Sequence, residues 1–182
     1  METDSAVERS IGEALFEMLR EEKLSDVTVK ELARRAHVAR STFYAHYRNV
    51  DEVLEQVEGS IVEDLVALNA PIADASRRDA ADMGFFRETL AYLDLRRDVM
   101  RVLLVDRTDP RFVEAWKDGI KGHLRERLPL RDGTPEGDLC MDVAASAMVS
   151  ACACMFESGD TVDDAFACEV VADVLGLLDK NA

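Results

Sequence analysis

Residues 28–54 read TVKELARRAHVARSTFYAHYRNVDEVL, and the fold turns on this stretch. Thr28 followed three positions later by Glu31 has the form of a capping box: the Thr hydroxyl accepts from an orphan backbone N–H and the Glu carboxylate reaches back to the cap residue. A short helix to Ala36 follows, then a turn at His37-Val38 and a second short helix from Ala39 to Tyr47. Asn49 with Glu52 opens a longer fourth helix, whose apolar stripe is Val50, Val53, Leu54, Val57, Ile61, Leu65 and Leu68. Upstream, Val7, Ile11, Ala14, Leu15 and Met18 share one helical face, and Ser5 with Glu8 repeats the capping pattern, so a first helix is expected from Ser5 to Glu22. A longer packing helix followed by two short helices joined at a tight turn is the layout of a helix-turn-helix.

Charge supports that assignment locally and opposes it globally. The 182 residues hold 22 Lys and Arg against 37 Asp and Glu, a net charge of −15, which over a whole surface repels a polyanion. Residues 28–48, however, place Lys30, Arg34, Arg35, Arg40 and Arg48 against the single acid Glu31. Within the second short helix, Phe43 and Tyr47 are four apart and face inward with Val38, which turns Arg40, Ser41, Tyr44 and Ala45 outward. A major groove about 12 Å wide admits one helix carrying such small and polar side chains.

From Thr28 to Leu54 the sequence resembles the N-terminal signature of the TetR family of bacterial transcriptional regulators: a Thr-initiated helix, Ala-x-x-Ala-x-Val around the turn, Thr-Phe-Tyr-x-His-Tyr, and an acidic-apolar start to the fourth helix. The resemblance implies that Thr28 caps its helix and touches phosphate. It implies that Arg40, Ser41 and Thr42 begin the recognition helix, with Arg40 suited to a guanine edge, and that Tyr44 and His46 donate to the DNA backbone. Three positions depart from the family pattern. Val50 stands where many relatives place a Lys, His37 replaces a turn glycine that needs positive φ, and Ala39 replaces a frequent Ser cap.

The remainder reads as helix. Segments are expected near 79–94, 97–105, 110–128, 136–157 and 161–179, with Asp109-Pro110 and Thr134-Pro135 each pairing a cap with proline at the first helical position, and with Gly159 and Thr161 ending one helix and starting the next. The fold class is therefore all-α: a three-helix DNA-binding domain at 1–50, and a ligand-binding and dimerisation bundle at 51–182. The fourth helix joins them and runs to a break near Leu68. The last two helices are apolar on several sides, which calls for a two-fold homodimer closed by a four-helix bundle.

Cys140, Cys152, Cys154 and Cys168 lie in helical sequence and are expected to be thiols; Cys152-x-Cys154 is read as core, because helical positions i and i+2 point about 200° apart and cannot share a metal. No catalytic motif appears, so neither an enzyme nor a cofactor or metal is expected. No uninterrupted run of roughly 18–20 apolar residues is present and the N-terminus lacks a signal-peptide pattern, giving the expectation of a cytoplasmic protein without a membrane partner.

These readings converge on a DNA-binding transcriptional regulator, a repressor in preference to an activator, that binds a palindromic double-stranded operator as a homodimer and answers to a small-molecule effector. Phe86, Tyr92, Trp116 and His123 are the expected pocket walls, with His123 also able to pair with Glu126. The alternative is a TetR-like adaptor or co-regulator that binds protein and has lost direct DNA contact.

Overall fold

In the computed structural model, residues 2–73, 83–106, 108–127, 133–158 and 162–180 are described; the side chains of 2–5, 127 and 177–180 lie outside that description. Among the described residues there is no strand. The helices are α1 (Glu2–Leu19), α2 (Val29–Arg35), α3 (Arg40–His46), α4 (Val50–Asn69), α5 (Gly84–Leu95), α6 (Arg97–Arg101), α7 (Pro110–Arg127), α8 (Pro135–Glu157) and α9 (Asp164–Lys180). By contacts the chain divides into Met1–Ile61 and Val62–Ala182. The division falls inside α4 rather than at its start, because the first part of its stripe covers the N-terminal core: the backbone of Gly12 on α1 leaves only 3.0 Å between an added Cβ and Val57.

In the N-terminal unit, α1 contributes Ile11, Leu15, Phe16 and Met18, α2 contributes Leu32, α3 contributes Phe43, and α4 adds Val53 and Leu54. Burial of these side chains removes apolar surface from water at roughly 25 cal/mol per Å² and holds two short helices that could not stand alone. α1 stops at Leu19, earlier than the expected Glu22, because the N–H groups of Glu21 and Glu22 both turn back onto the Met18 carbonyl at 2.9 Å. Its start lies at Glu2, and the Ser5 side chain of the expected cap falls outside the described set.

The C-terminal unit is built around Phe86, Leu93, Met100, Trp116, Ile120, Leu124, Ala144, Met148 and Cys152. Asp109 Oδ1 accepts from the Arg111 N–H at 2.7 Å, and Thr134 Oγ1 accepts from Gly137 at 3.1 Å, so both Asp/Thr-Pro starts cap their helices as the sequence indicates. At α9 the cap is Asp163, whose Oδ1 accepts from Ala165 and Phe166; Gly159 and Thr161 lie outside the described residues. The segment expected as a single helix over 97–105 is instead α6 followed by a π-helical stretch, Val102–Asp106, that buries Val102, Leu103 and Leu104 together. α7 crosses the end of α4 closely: a Cβ on Gly119 would meet Val66 Cγ2 at 2.2 Å, and one turn on, His123 Nε2 reaches the Val66 carbonyl at 2.9 Å.

Among the described residues α8 is long and apolar enough to cross a membrane by length and composition, although charged residues interrupt its apolar run. Its Ala144, Ala145, Met148 and Cys152 are buried within the unit.

Candidate nucleic-acid interface

Thr28 Oγ1 accepts from the Glu31 N–H at 3.2 Å, which caps α2 and leaves the hydroxyl proton to donate outward. The reciprocal arm of the box is replaced. The Glu31 carboxylate takes Arg34 (Nε at 3.0 Å) and lies 3.8 Å from Arg35, since a guanidinium one turn along is a stronger partner than a backbone N–H.

α2 ends in a Schellman motif: the His37 N–H donates to Arg34 O at 3.2 Å and the Val38 N–H to Ala33 O at 3.0 Å. His37 occupies the left-handed position at φ 57°, where the sequence reading had placed a missing glycine. The Ser10 hydroxyl donates to the Ala36 carbonyl at 2.9 Å, tying the turn to α1. Removing the Cβ penalty by His37→Gly is expected to raise unfolding stability by about 0.5–1 kcal/mol, with His37→Val lowering it; urea titration of both variants checks the order.

α3 starts at Arg40 behind Ala39, whose side chain makes no capping bond. Phe43 and Tyr47 are buried and Val38 is half-buried, while Arg40, Ser41, Ala45 and Tyr44 are exposed, the last by 53%. Thr42 is half-buried. Tyr44 packs edge-on against Phe43 with ring centroids 5.6 Å apart, which holds its phenol at the rim of the helix. Tyr47 is held protonated: burial first, then Glu8 and Glu52, push its phenol up to about 12, and its hydroxyl has no hydrogen-bond partner among the described residues. His46 is half-buried with Nδ1 3.3 Å from Glu8 Oε1, so one ring nitrogen faces a carboxylate of α1.

The cationic island is smaller in space than in sequence. Arg35 pairs with Glu21 at 2.8 Å and Arg48 with Glu52 at 3.1 Å, two acids that lie outside residues 28–48 and reach in from neighbouring segments; Arg34 holds Glu31. Hydrogen bonds from these arginines hold the Glu21, Glu31 and Glu52 carboxyls below the usual carboxylate range. Such depression adds stability above the unfolded carboxylate value and is lost as pH falls through the folded one. All three pairs are open to solvent on at least one partner and therefore weak, so a phosphate can replace the carboxylate. Arg40 and Lys30 make no ion pair with any described residue. Val50 is buried in the N-terminal core rather than standing at the surface as a cation would.

Residues 11–57 match the family model described as bacterial regulatory proteins, tetR family. The chain carries a tetR-family helix-turn-helix. No curated protein matches the chain. Over nearly its whole length it is similar to solved structures of low identity, which bear on the fold alone. A tetR-family transcriptional regulator from Streptomyces coelicolor has a TM-score of 0.70 at 13% identity, with 96% of this chain and 83% of that one covered. A TetR transcriptional regulator from Streptococcus agalactiae 2603V gives 0.66 at 18%, covering 96% of each. The dihydroxyacetone kinase operon activator DhaS gives 0.62 at 14%, covering 96% and 95%. The all-α architecture behind a tetR-type head is thus a known arrangement.

The four expected pocket residues are placed as follows. Phe86 and Trp116 are fully buried core, and the Trp116 indole N–H has no hydrogen-bond partner among the described residues. Tyr92 donates to Asp64 Oδ2 at 2.7 Å beneath the Arg96 guanidinium, 3.9 Å above its ring, and burial pushes its phenol up. His123 bonds the Val66 carbonyl rather than Glu126, because the last carbonyls of α4 lack helical partners. A pocket of about 430 Å³ opens elsewhere, between α5, α6, α8 and the start of α9, and none of the four lines it. Sequence reading passed over its lining because Leu90, Leu93, Cys152 and Phe156 register only as helix-periodic core.

Cys152 and Cys168 are buried, but Cys154 is exposed rather than core, as the 200° rotation between positions i and i+2 requires. Burial pushes the Cys152 thiol far up. Among the described residues no group of three or more His, Cys, Asp or Glu is placed to hold a metal ion.

Proposed function

We propose that the chain is a transcriptional repressor that binds a palindromic operator as a homodimer and releases it when a small molecule occupies the C-terminal unit. The observation that carries this is α3: its inner face is locked by Phe43 and Tyr47 while Arg40, Ser41 and Tyr44 stand exposed, beside the outward hydroxyl of Thr28. Arg40 and Ser41 read base edges; Thr42 lies at the margin of that face; Thr28, Tyr44 and the ring of His46 serve the phosphates. The N-terminal unit, Met1–Ile61, binds DNA, and Val62–Ala182 dimerises and takes the effector.

The dimer is supported by side chains left in solvent on the last two helices. Leu139 and Val143 on α8, and Phe166 and Val170 on α9, are each four apart and 42–65% exposed. Two such helices from each protomer form a four-helix bundle that covers them, and the resulting two-fold dimer offers one α3 helix to each half of a palindrome. An effector must prefer the arrangement that does not bind DNA, and operator binding weakens effector binding by the same factor. The alternative is an adaptor that recruits protein instead of DNA, favoured by the buried Val50 and by the carboxylates that occupy Arg34, Arg35 and Arg48.

Salt dependence of binding to the upstream region of its own coding sequence separates the two. If only Lys30 and Arg40 of each protomer replace counterions, the slope of log affinity against log salt is about −4. If the three paired arginines also transfer to phosphate, it steepens to about −9. An adaptor gives no specific duplex binding at low salt.

A further inference from the structure

We propose that the pocket between α5, α6, α8 and the start of α9 takes a small amphipathic cation: an aromatic or aliphatic body bearing one ammonium group. This deepens the effector-responsive reading above, on which it rests only for its regulatory meaning. At about 430 Å³ the pocket falls within the roughly 300–1,000 Å³ of small-molecule sites. Its floor is apolar and buried, made by Leu90, Leu93, Cys152 and Phe156, whereas its mouth is exposed and charged, made by Asp94, Arg97 and Asp164. A floor and mouth so divided suit a ligand with one greasy and one charged end.

The sign of that charge follows from the mouth. Arg97 is held by Asp94, Nε to Oδ1 at 2.9 Å, so the described lining residues carry one carboxylate, Asp164, beyond that pair. An anionic head group would look to the N-terminus of α9, but the N–H groups of Ala165 and Phe166 are taken by Asp163 Oδ1. Residues 51–182 also carry a net charge of −14, which concentrates cations near the mouth and repels anions.

Calorimetric titration of the full chain without DNA, using phenylbutylammonium, phenylbutanol and phenylbutanoate, compares three head charges on one apolar body. The ammonium is expected to bind at least about tenfold more tightly than the carboxylate, with the alcohol between them. Asp164→Asn should weaken the ammonium about fivefold and leave the alcohol unchanged. Ala91→Trp, at an exposed position on the wall, should abolish binding of all three without touching the core. Tighter binding of the carboxylate, equal binding of all three, no binding of the ammonium, or an unaltered Asp164→Asn variant would each overturn the assignment. Since no DNA is present, such a failure leaves the operator reading to be judged by its own salt titration.

Discussion

Arg40→Ala is expected to collapse discrimination between operator and unrelated duplex while leaving the fold intact. A bidentate Arg–guanine contact contributes about 1–3 kcal/mol of discrimination, and the proposed two-fold dimer would make it twice, so the specificity ratio should fall by about 2–6 kcal/mol. Nothing in the protein compensates: Arg40 is exposed and unpaired among the described residues, so its removal strands no partner and opens no cavity. Competition gel shifts with operator and scrambled duplex at fixed salt, together with thermal unfolding of the variant, check both halves of the statement. Lys30→Ala provides the contrast. It should weaken both duplexes alike and flatten the salt slope by about 2 per dimer. Unaltered specificity in Arg40→Ala would move base reading away from the start of α3.

The second large effect is on stability. Trp116→Ala should cost about 3–5 kcal/mol, a substantial share of the roughly 5–15 kcal/mol that holds such a domain. Trp116 is fully enclosed, with the Phe112 ring centroid 6.3 Å away, so truncation opens a cavity that the crossing of α7 and α4 at Gly119 gives little room to close. Trp116→Phe should cost less than half as much, since the indole N–H has no hydrogen-bond partner among the described residues and its loss breaks none. Urea unfolding of both variants gives the comparison. If Trp116 were an effector wall, Trp116→Phe would change effector affinity and leave the unfolding midpoint where it was.

The helices were legible because their signals are local. Thr28, Asn49, Asp109 and Thr134 each accept a backbone N–H within three residues, and the stripe from Val50 to Leu68 needs only the 3.6-residue period to show its face. The recognition helix was legible for the same reason, with Phe43 and Tyr47 turned in and Arg40 and Tyr44 turned out. The role of His37 was readable too: a turn of fixed length after α2 demands positive φ whichever residue is there. The strength of the cationic patch was not legible, because a window along the chain cannot show that Glu21 and Glu52 fold back onto Arg35 and Arg48. Nor was the pocket. Buried aromatics and a histidine were natural candidates for its walls, yet Phe86 and Trp116 were consumed by the core, and His123 by a helix-end carbonyl.

Periodicity, caps and the signature at 28–54 were enough to specify an all-α chain with a tetR-type head and the outward face of α3, since each depends on residues within one or two turns of one another. Which charges remain available at that face, where a cavity survives among packed helices, and which apolar side chains stay in solvent on α8 and α9 were decided by tertiary structure. Those properties belong to side chains distant in sequence, and only packing brings them together or leaves a space between them.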